Sequence, residues 1–275
     1  MRKSVTKIFT YAALFIGLLA VAFPFYLCIV SSFKTQPDLS RNFFGLPAEF
    51  TLENYRTILE KGGFWPALVN TTEITVICLL AFSLLLPMMA YAISRRMGNS
   101  KFYTFLYYYM LAGIFVPFQV KMIPIIKLMN TLGLANKYGL MLQYLAVATG
   151  EGLFLISGYL SSVPTDMEEA AYIDGANTRQ IFLRIMYPIM RPITATVLVK
   201  NALMLWNDFM LPNMILRTPE ERTLTLFQYI FQGEFAINYP LVFSSFVLAM
   251  LPVLIFYVIM QKNIIGGMTS GAVKG

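Results

Sequence analysis

The sequence predicts an all-α integral membrane protein: six transmembrane helices and one large cytoplasmic loop. Three observations predict it. Of 275 residues, 57% are hydrophobic and 13% charged, where a soluble chain carries about 25% charged residues. Too few polar side chains exist to clothe a water-facing surface. Apolar runs of membrane-crossing length recur at 8–30, 74–94, 102–120, 140–163, 193–211 and 235–261. Between the fourth and fifth lies 165–192, a stretch too polar to sit in lipid.

Composition also excludes chemistries. The chain has no histidine, and its two cysteines, Cys28 and Cys78, lie inside apolar runs. A zinc site, a Cys/His nucleophile and a histidine proton relay are thereby removed. No metal site and no catalytic residue is expected. There is no GxxxxGK[ST] sequence, so the chain does not hydrolyse ATP by a P-loop mechanism. Any energy from ATP has to arrive from another subunit. The net charge of +7 sits beside apolar spans, which suits the cytoplasmic face of a bilayer and not a nucleic acid.

Arg2, Lys3 and Lys7 precede the uncharged run Ile8 to Val30. That run is too long for a signal peptide and lacks a small-residue cleavage site. It is predicted to enter the membrane from the cytoplasm, with Pro24 as a tolerated kink. Ser31 to Asn70 is polar and of mixed charge, an extracytoplasmic segment with a short helix at Leu52 to Leu59. Ile74 to Ser94 is the second span; Arg95, Arg96 and Lys101 behind it place that turn inside. Phe102 to Val120 is the third, with Tyr107, Tyr108 and Tyr109 in a row and Pro117 near its outer end. Lys127 to Lys137 makes a short outer loop.

Leu140 to Val163 is the fourth span, interrupted by Gly150-Glu151-Gly152. Ile193 to Leu211 is the fifth, carrying Lys200 and then Trp206-Asn207-Asp208. Arg217, Glu220, Glu221, Arg222 and Glu234 form a polar outer loop. Phe235 to Gln261 is the sixth span, and Lys262 to Gly275 is a Gly-rich inner tail. Both termini are therefore expected in the cytoplasm.

The loop has its own punctuation. Thr165, followed three residues later by Glu168, has the spacing of a capping box and predicts a helix from Asp166. Gly175 stops that helix. Asn177 with Gln180 repeats the device, and Pro188 is predicted to end the second helix. Helices this short are marginal in water, so a docking surface is expected to stabilise them. Ala170 and Ala171 give a flat side for close approach. A Glu168 held by its cap leaves Glu169 for a basic partner, and carboxylates in the first turn suit the helix dipole.

Glu169-Ala170-Ala171, Gly175, Ile185 and Pro188 at these spacings resemble the EAA loop of ABC importer permeases. The surrounding words, EEAAYIDGAN and then IFLRI, are similar to the carbohydrate importers, specifically the second permease subunit of maltose-type and oligosaccharide systems. SSFK, TLENY, ALVNT, VPFQVKMIP and the tail IIGGMTSGAVKG extend the likeness over nearly the whole chain. Tyr187 departs from the leucine usual in the family. The resemblance implies a type I ABC importer permease fold, with 1–275 as a single transmembrane domain in the bacterial cytoplasmic membrane. It implies a coupling helix that fits a cleft on a cytoplasmic ATPase through Glu168, Glu169, Ala170, Ala171, Asp174, Gly175, Ile185 and Pro188. Its implied partners are a homologous second permease, two ATPase subunits that bind ATP and Mg, and an extracytoplasmic sugar-binding protein. A carbohydrate, specifically an oligosaccharide, is the implied substrate, and this chain binds no cofactor. In the related maltose system a similar tail reaches the ATPase interface; a frayed end is the other reading of Gly266 to Gly275.

Charges inside lipid cost about 2.5–3.5 kcal/mol each on insertion scales. Glu151 lies ~20 Å from the inner boundary and Lys200 ~13 Å, at 1.5 Å per residue. Both therefore sit near mid-depth on sequential helices, and they are expected to pair. A pin between two spans and a position on the sugar path are both open readings. Trp206, Asn207 and Asp208 resemble a WN-acid-F motif of carbohydrate permeases. They present an aromatic face with amide and carboxylate groups, as sugar sites do, or else a membrane-interface anchor. Two other functions stay open: an ABC permease for another solute such as glycerol phosphate, and an ion-coupled transporter using Glu151 and Lys200 as its relay. The halves show no inverted repeat, which disfavours the second.

Overall fold

The computed structural model describes the backbone of residues 2–60, 63–229 and 238–272, and the side chains of 6–60, 63–229 and 238–258. Regular structure among these residues is all helix. Five helices are long and apolar enough to cross a membrane, and a bent pair makes a sixth if it crosses as one. The chain divides into two compact units, Met1–Pro66 with Leu226–Leu254, and Ala67–Thr225 with Ile255–Gly275.

In the first unit, α1 (Arg2–Ser32) covers the predicted first span with Pro24 inside it. Its apolar side chains remain exposed from Leu14 to Phe25, as a rod bathed in lipid requires. The hub is the SSFK run. Ser31, Ser32 and Lys34 are buried, and the Lys34 ammonium donates to the carbonyls of Asn42 (2.6 Å) and Phe43 (3.3 Å). Carbonyl dipoles thus replace the water that a buried cation has lost. The Asn54 amide donates to the carbonyls of Ser32 and Lys34, which anchors α3 (Glu53–Glu60) close to the predicted short helix. Between them, α2 (Gln36–Arg41) is capped by the Thr35 hydroxyl.

In the second unit, α7 (Lys137–Leu160) is central. Leu140, Tyr144, Ala148, Leu153, Ile156 and Leu160 are buried along it. Against it pack α5 (Lys101–Phe115) and α10 (Tyr187–Asn207). Gly150 and Gly152 do not interrupt this helix; they let neighbours approach. A Cβ at Gly150 would stand 3.0 Å from Ile114, and one at Gly152 2.8 Å from Leu86 of α4 (Phe64–Met97).

The third span departs from expectation. It is two helices, α5 and α6 (Phe118–Thr131), bent by 105°. Val116 is extended at φ −78° and ψ 114°, the conformation a proline imposes on its predecessor. Pro117 has no N–H with which to continue α5. Helix α6 accordingly fills part of the stretch expected as an outer loop.

The polar loop after α10 is fastened down. It contains α11 (Met210–Ile215), a 3₁₀ turn at Pro219–Glu221 and the start of α12 (Leu224–Tyr229). The Asn70 amide donates to the carbonyls of Glu220 and Arg222, and the Thr71 hydroxyl accepts from the Leu224 N–H. Lys137 pairs with Glu73 at 2.8 Å. The last helix, α13 (Tyr239–Ala272), continues through most of the predicted inner tail. Glu234, the first residues of the predicted sixth span and the tail side chains lie outside the described residues.

Candidate functional site

The loop leaving α7 forms α8 (Asp166–Ile173), and its attachment differs from the sequence reading. Thr165 makes no side-chain cap bond; its carbonyl receives the N–H groups of Glu168 and Glu169. The Glu168 carboxylate turns inward instead. One oxygen accepts from Arg95 Nε at 2.7 Å and the other from the Tyr91 hydroxyl at 2.7 Å. The Arg95 guanidinium also donates to the carbonyls of Leu160 (3.4 Å) and Val163 (3.1 Å). A cation and a hydroxyl on α4 outcompete the local backbone for this carboxylate, because a full opposite charge in a largely buried place attracts it more than the dipole of one N–H does. The capping box at Thr165 is therefore corrected to an ion pair, with side chains 9% (Glu168) and 19% (Arg95) exposed.

One helical turn later the pattern sorts the rest. Ala171 is buried beside Glu168, so the flat side expected from both alanines reduces to Ala170. Asp166, Glu169, Ala170 and Ile173 fall on the outward face, with Ile173 86% exposed. Exposed Asp174 closes the helix, and Gly175 follows at φ 82°. The Ala176 N–H bonds the Ala171 carbonyl and the Gly175 N–H bonds that of Tyr172, a Schellman motif that needs the left-handed residue.

The second predicted box is present. Asn177 Oδ1 accepts from the Gln180 N–H, and Gln180 Oε1 accepts from the Asn177 N–H. It opens α9 (Thr178–Ile181), but Pro188 does not end that helix. A π turn, Phe182–Met186, follows at once and leads into α10. There the Tyr187 N–H reaches back to the Phe182 carbonyl, a wider turn that accommodates a proline in the next position. Ile185 and Pro188 are half-buried in this junction. The span therefore runs continuously over Thr178–Asn207. Tyr187 donates to the Ser83 carbonyl at 3.2 Å, and Phe182 lies between the rings of Tyr91 and Tyr187.

Within the membrane part, the structure brings Glu151 of α7 and Lys200 of α10 into an ion pair. The Trp206-Asn207-Asp208 run does not converge. Asp208 accepts from the Tyr144 hydroxyl (2.9 Å) and the Met210 N–H (3.0 Å), and its carbonyl accepts from Thr225. It pins the α10–α11 corner to α7. The Asn207 amide is exposed and donates to the Leu203 carbonyl, while Trp206 is half-buried. Sequence reasoning missed Tyr91, Arg95 and Ile173. Arg95 was visible only as a marker of orientation. Among the described residues no group of three or more His, Cys, Asp or Glu side chains is placed to hold a metal ion.

Residues 83–269 match the family of binding-protein-dependent transport system inner membrane components. Over 277 residues the chain is 41% identical to the multiple sugar-binding transport system permease protein MsmG of Streptococcus mutans, covering 99% of each. It is 32% identical over 265 residues to AmyC of Thermoanaerobacterium thermosulfurigenes, a probable starch degradation products transport system permease, covering 96% of each. With MelC of Bacillus subtilis, a melibiose/raffinose/stachyose import permease, identity is 30% over 280 residues and the whole of both chains. In shape it matches a chain of a bacterial ABC transporter involved in import of the acidic polysaccharide alginate. The TM-score is 0.83 at 24% identity, covering 95% of this chain and 97% of that one. A family match over most of the sequence, with end-to-end identity of 41% to a permease, makes this chain a member of the binding-protein-dependent transport system inner-membrane component family, with the fold of an ABC importer permease.

Proposed function

We propose that the chain is a permease subunit of an ATP-driven, binding-protein-dependent carbohydrate importer, with an oligosaccharide as its cargo. The observation that carries this is end-to-end identity to sugar-transport permeases. The arrangement of α8 supports it. An eight-residue helix with an outward face of Asp166, Glu169, Ala170 and Ile173 is held by a buried ion pair at its back. Such a helix offers acid, a shallow dimple and an apolar knob to a cleft on another protein, and it transmits a push because its rear is tied.

In this reading the 161–177 loop and both termini are cytoplasmic, which agrees with Arg95, Arg96 and Lys101 at the same end. The chain forms half of the pathway with a homologous permease. Two ATPase subunits bind ATP and Mg and receive α8, and an extracytoplasmic sugar-binding protein delivers the cargo. ATPase closure displaces α8; Arg95 passes that displacement to α4 and to the end of α7, and the helices tilt as rigid bodies between inward- and outward-open states. The test is isolation of the intact complex, identification of its subunits, and uptake across a sugar panel in proteoliposomes. ATP-dependent oligosaccharide uptake that needs the ATPases and the binding protein is expected. Uptake by this chain with no ATPase present, or uptake confined to a solute such as glycerol phosphate, would refute the proposal.

A further inference from the structure

Helix α10 has one open face inside the membrane part. Thr196, Lys200, Leu203 and Asn207 recur at i, i+4, i+7 and i+11, which aligns them over ~16 Å of one side. Lys200, Leu203 and Asn207 are exposed and Thr196 is half-buried. Val197, Asn201, Ala202 and Leu205 point into the protein and are buried. On α7 the adjoining face carries Glu151 and, one turn on, Phe154, which is 53% exposed. Glu151 and Lys200 meet between the two helices, yet their side chains keep 31% and 56% exposure.

Lipid, a sealed protein contact and water are the three possible surroundings of such a face. Lipid does not suit it, because an open ion pair near the middle of α7 is poorly solvated by hydrocarbon. A sealed contact would close over a pair that stands open here, and would bury what Thr196 and Asn207 still offer: each gives one hydrogen to a carbonyl of its own helix, Pro192 and Leu203, and retains oxygen lone pairs that water can use. A hydrated path uses all of them. The charges also cancel, so the wall carries no net field that would gather anions.

We propose that this shared face of α7 and α10 is the cargo-contacting wall of the translocation path, and that the neutralised Glu151–Lys200 pair suits it to uncharged, polyhydroxylated cargo. The inference rests on the carbohydrate-import reading. Phe154 offers apolar surface to the C–H side of a sugar ring, Glu151 accepts from hydroxyls, and Lys200 and Asn207 donate to ring and hydroxyl oxygens. Trp206 lies ~120° around α10 from Lys200 and stands off this wall. So does Asp208, whose carboxylate is engaged by Tyr144 and the Met210 N–H.

The test uses the complete transporter in proteoliposomes, with Cys28 and Cys78 replaced by alanine and single cysteines at Thr196, Asn207 and Leu142. Leu142 is exposed on α7 but faces the side opposite Glu151. A charged, membrane-impermeant methanethiosulfonate should label Thr196→Cys and Asn207→Cys, with protection by transported sugar, and leave Leu142→Cys untouched. In a separate arm, Glu151→Gln should slow uptake of a neutral oligosaccharide about tenfold or more, the effect of one lost charge-assisted bond, while a uronate-containing oligosaccharide is not slowed. Labelling of Thr196→Cys and Asn207→Cys by a lipid-soluble maleimide alone would overturn the wall, and equal slowing of both sugars would overturn the selection. A parent complex that moves no sugar while Thr196→Cys and Asn207→Cys still react would overturn the import reading and leave the hydrated wall standing.

Discussion

Replacing Glu168 with glutamine removes one charge from a pair whose side chains are 9% and 19% exposed. Breaking a buried ion pair from one side leaves the other charge uncompensated, at a cost of about 3–5 kcal/mol. Arg95 is the less buried partner and keeps its bonds to the Leu160 and Val163 carbonyls, so the lower end applies. A loss of about 3 kcal/mol is roughly a 150-fold change in the balance between docked and undocked α8. An eight-residue helix has no reserve of its own against that shift. Hydrogen exchange of the α8 amides in the assembled complex reads it directly, as roughly 10²-fold faster exchange confined to 165–177. Sugar-stimulated ATP hydrolysis should fall with it while the complex stays assembled. Glu169→Gln is the contrast: its side chain faces outward, so exchange should not change in the free subunit while coupling to the ATPase weakens. Glu168→Gln with unchanged exchange and unchanged uptake would refute the idea that this ion pair ties α8 to its span.

Gly175→Ala meets no neighbour within 4 Å, yet φ is 82° there. The penalty is therefore conformational, about 1–2 kcal/mol; uptake should fall modestly for alanine and be lost for valine or proline, with the protein still in the membrane. Asn177→Ala removes the side-chain half of the observed cap, the Oδ1 that accepts from the Gln180 N–H, and leaves the backbone half, the Asn177 N–H on Gln180 Oε1; it should destabilise the start of α9 by about 1 kcal/mol, read as faster exchange at 178–181. Tyr144→Phe takes the hydroxyl from Asp208, with an expected loss of about 1.5–3 kcal/mol, measured as a lower melting temperature of the purified complex. Spin labels at exposed Ser162 and Arg191 should keep their separation between nucleotide-free and ATP-trapped complexes to within about 2 Å, the scale of ordinary helix shifts; a larger change would show that α7 and α10 move apart.

The hydrophobic run lengths made five of the spans legible, because a bilayer sets a minimum length that few other environments impose. The third span misled because hydropathy is blind to direction: Pro117 sits in an apolar run, and its effect on Val116 is stereochemical. Pro188 misled the opposite way. A proline after a polar stretch reads as a stop, but the π turn before it supplies geometry that no single-residue preference reveals. In the loop, Gly175 and the Asn177 box were readable because their partners are within a few residues. Thr165 with Glu168 had equally good spacing, and failed because the competitor for the carboxylate, Arg95, lies 73 residues away in the chain. Local motifs foretell local bonds only where no stronger distant partner arrives.

That competition has a mechanical consequence. A capping bond would have spent the Glu168 carboxylate on the helix's own first turn and left the position of α8 indifferent to the spans. The ion pair instead makes its position depend on α4, through Arg95 and Tyr91, and on the end of α7, through the Leu160 and Val163 carbonyls. At the other end of the loop, α9, the π turn and α10 form one uninterrupted rod from Thr178 to Asn207. Lys200 rides on that rod ~33 Å from Thr178, and Glu151 sits on α7 ~14 Å from Leu160, at 1.5 Å per residue. A displacement of α8 is thus applied at once to the helix carrying each member of the ion pair. Because Tyr159 also bonds the Ile189 carbonyl where those helices leave the loop, they take up the displacement together, and the polar wall they share shifts as one surface rather than being pulled apart.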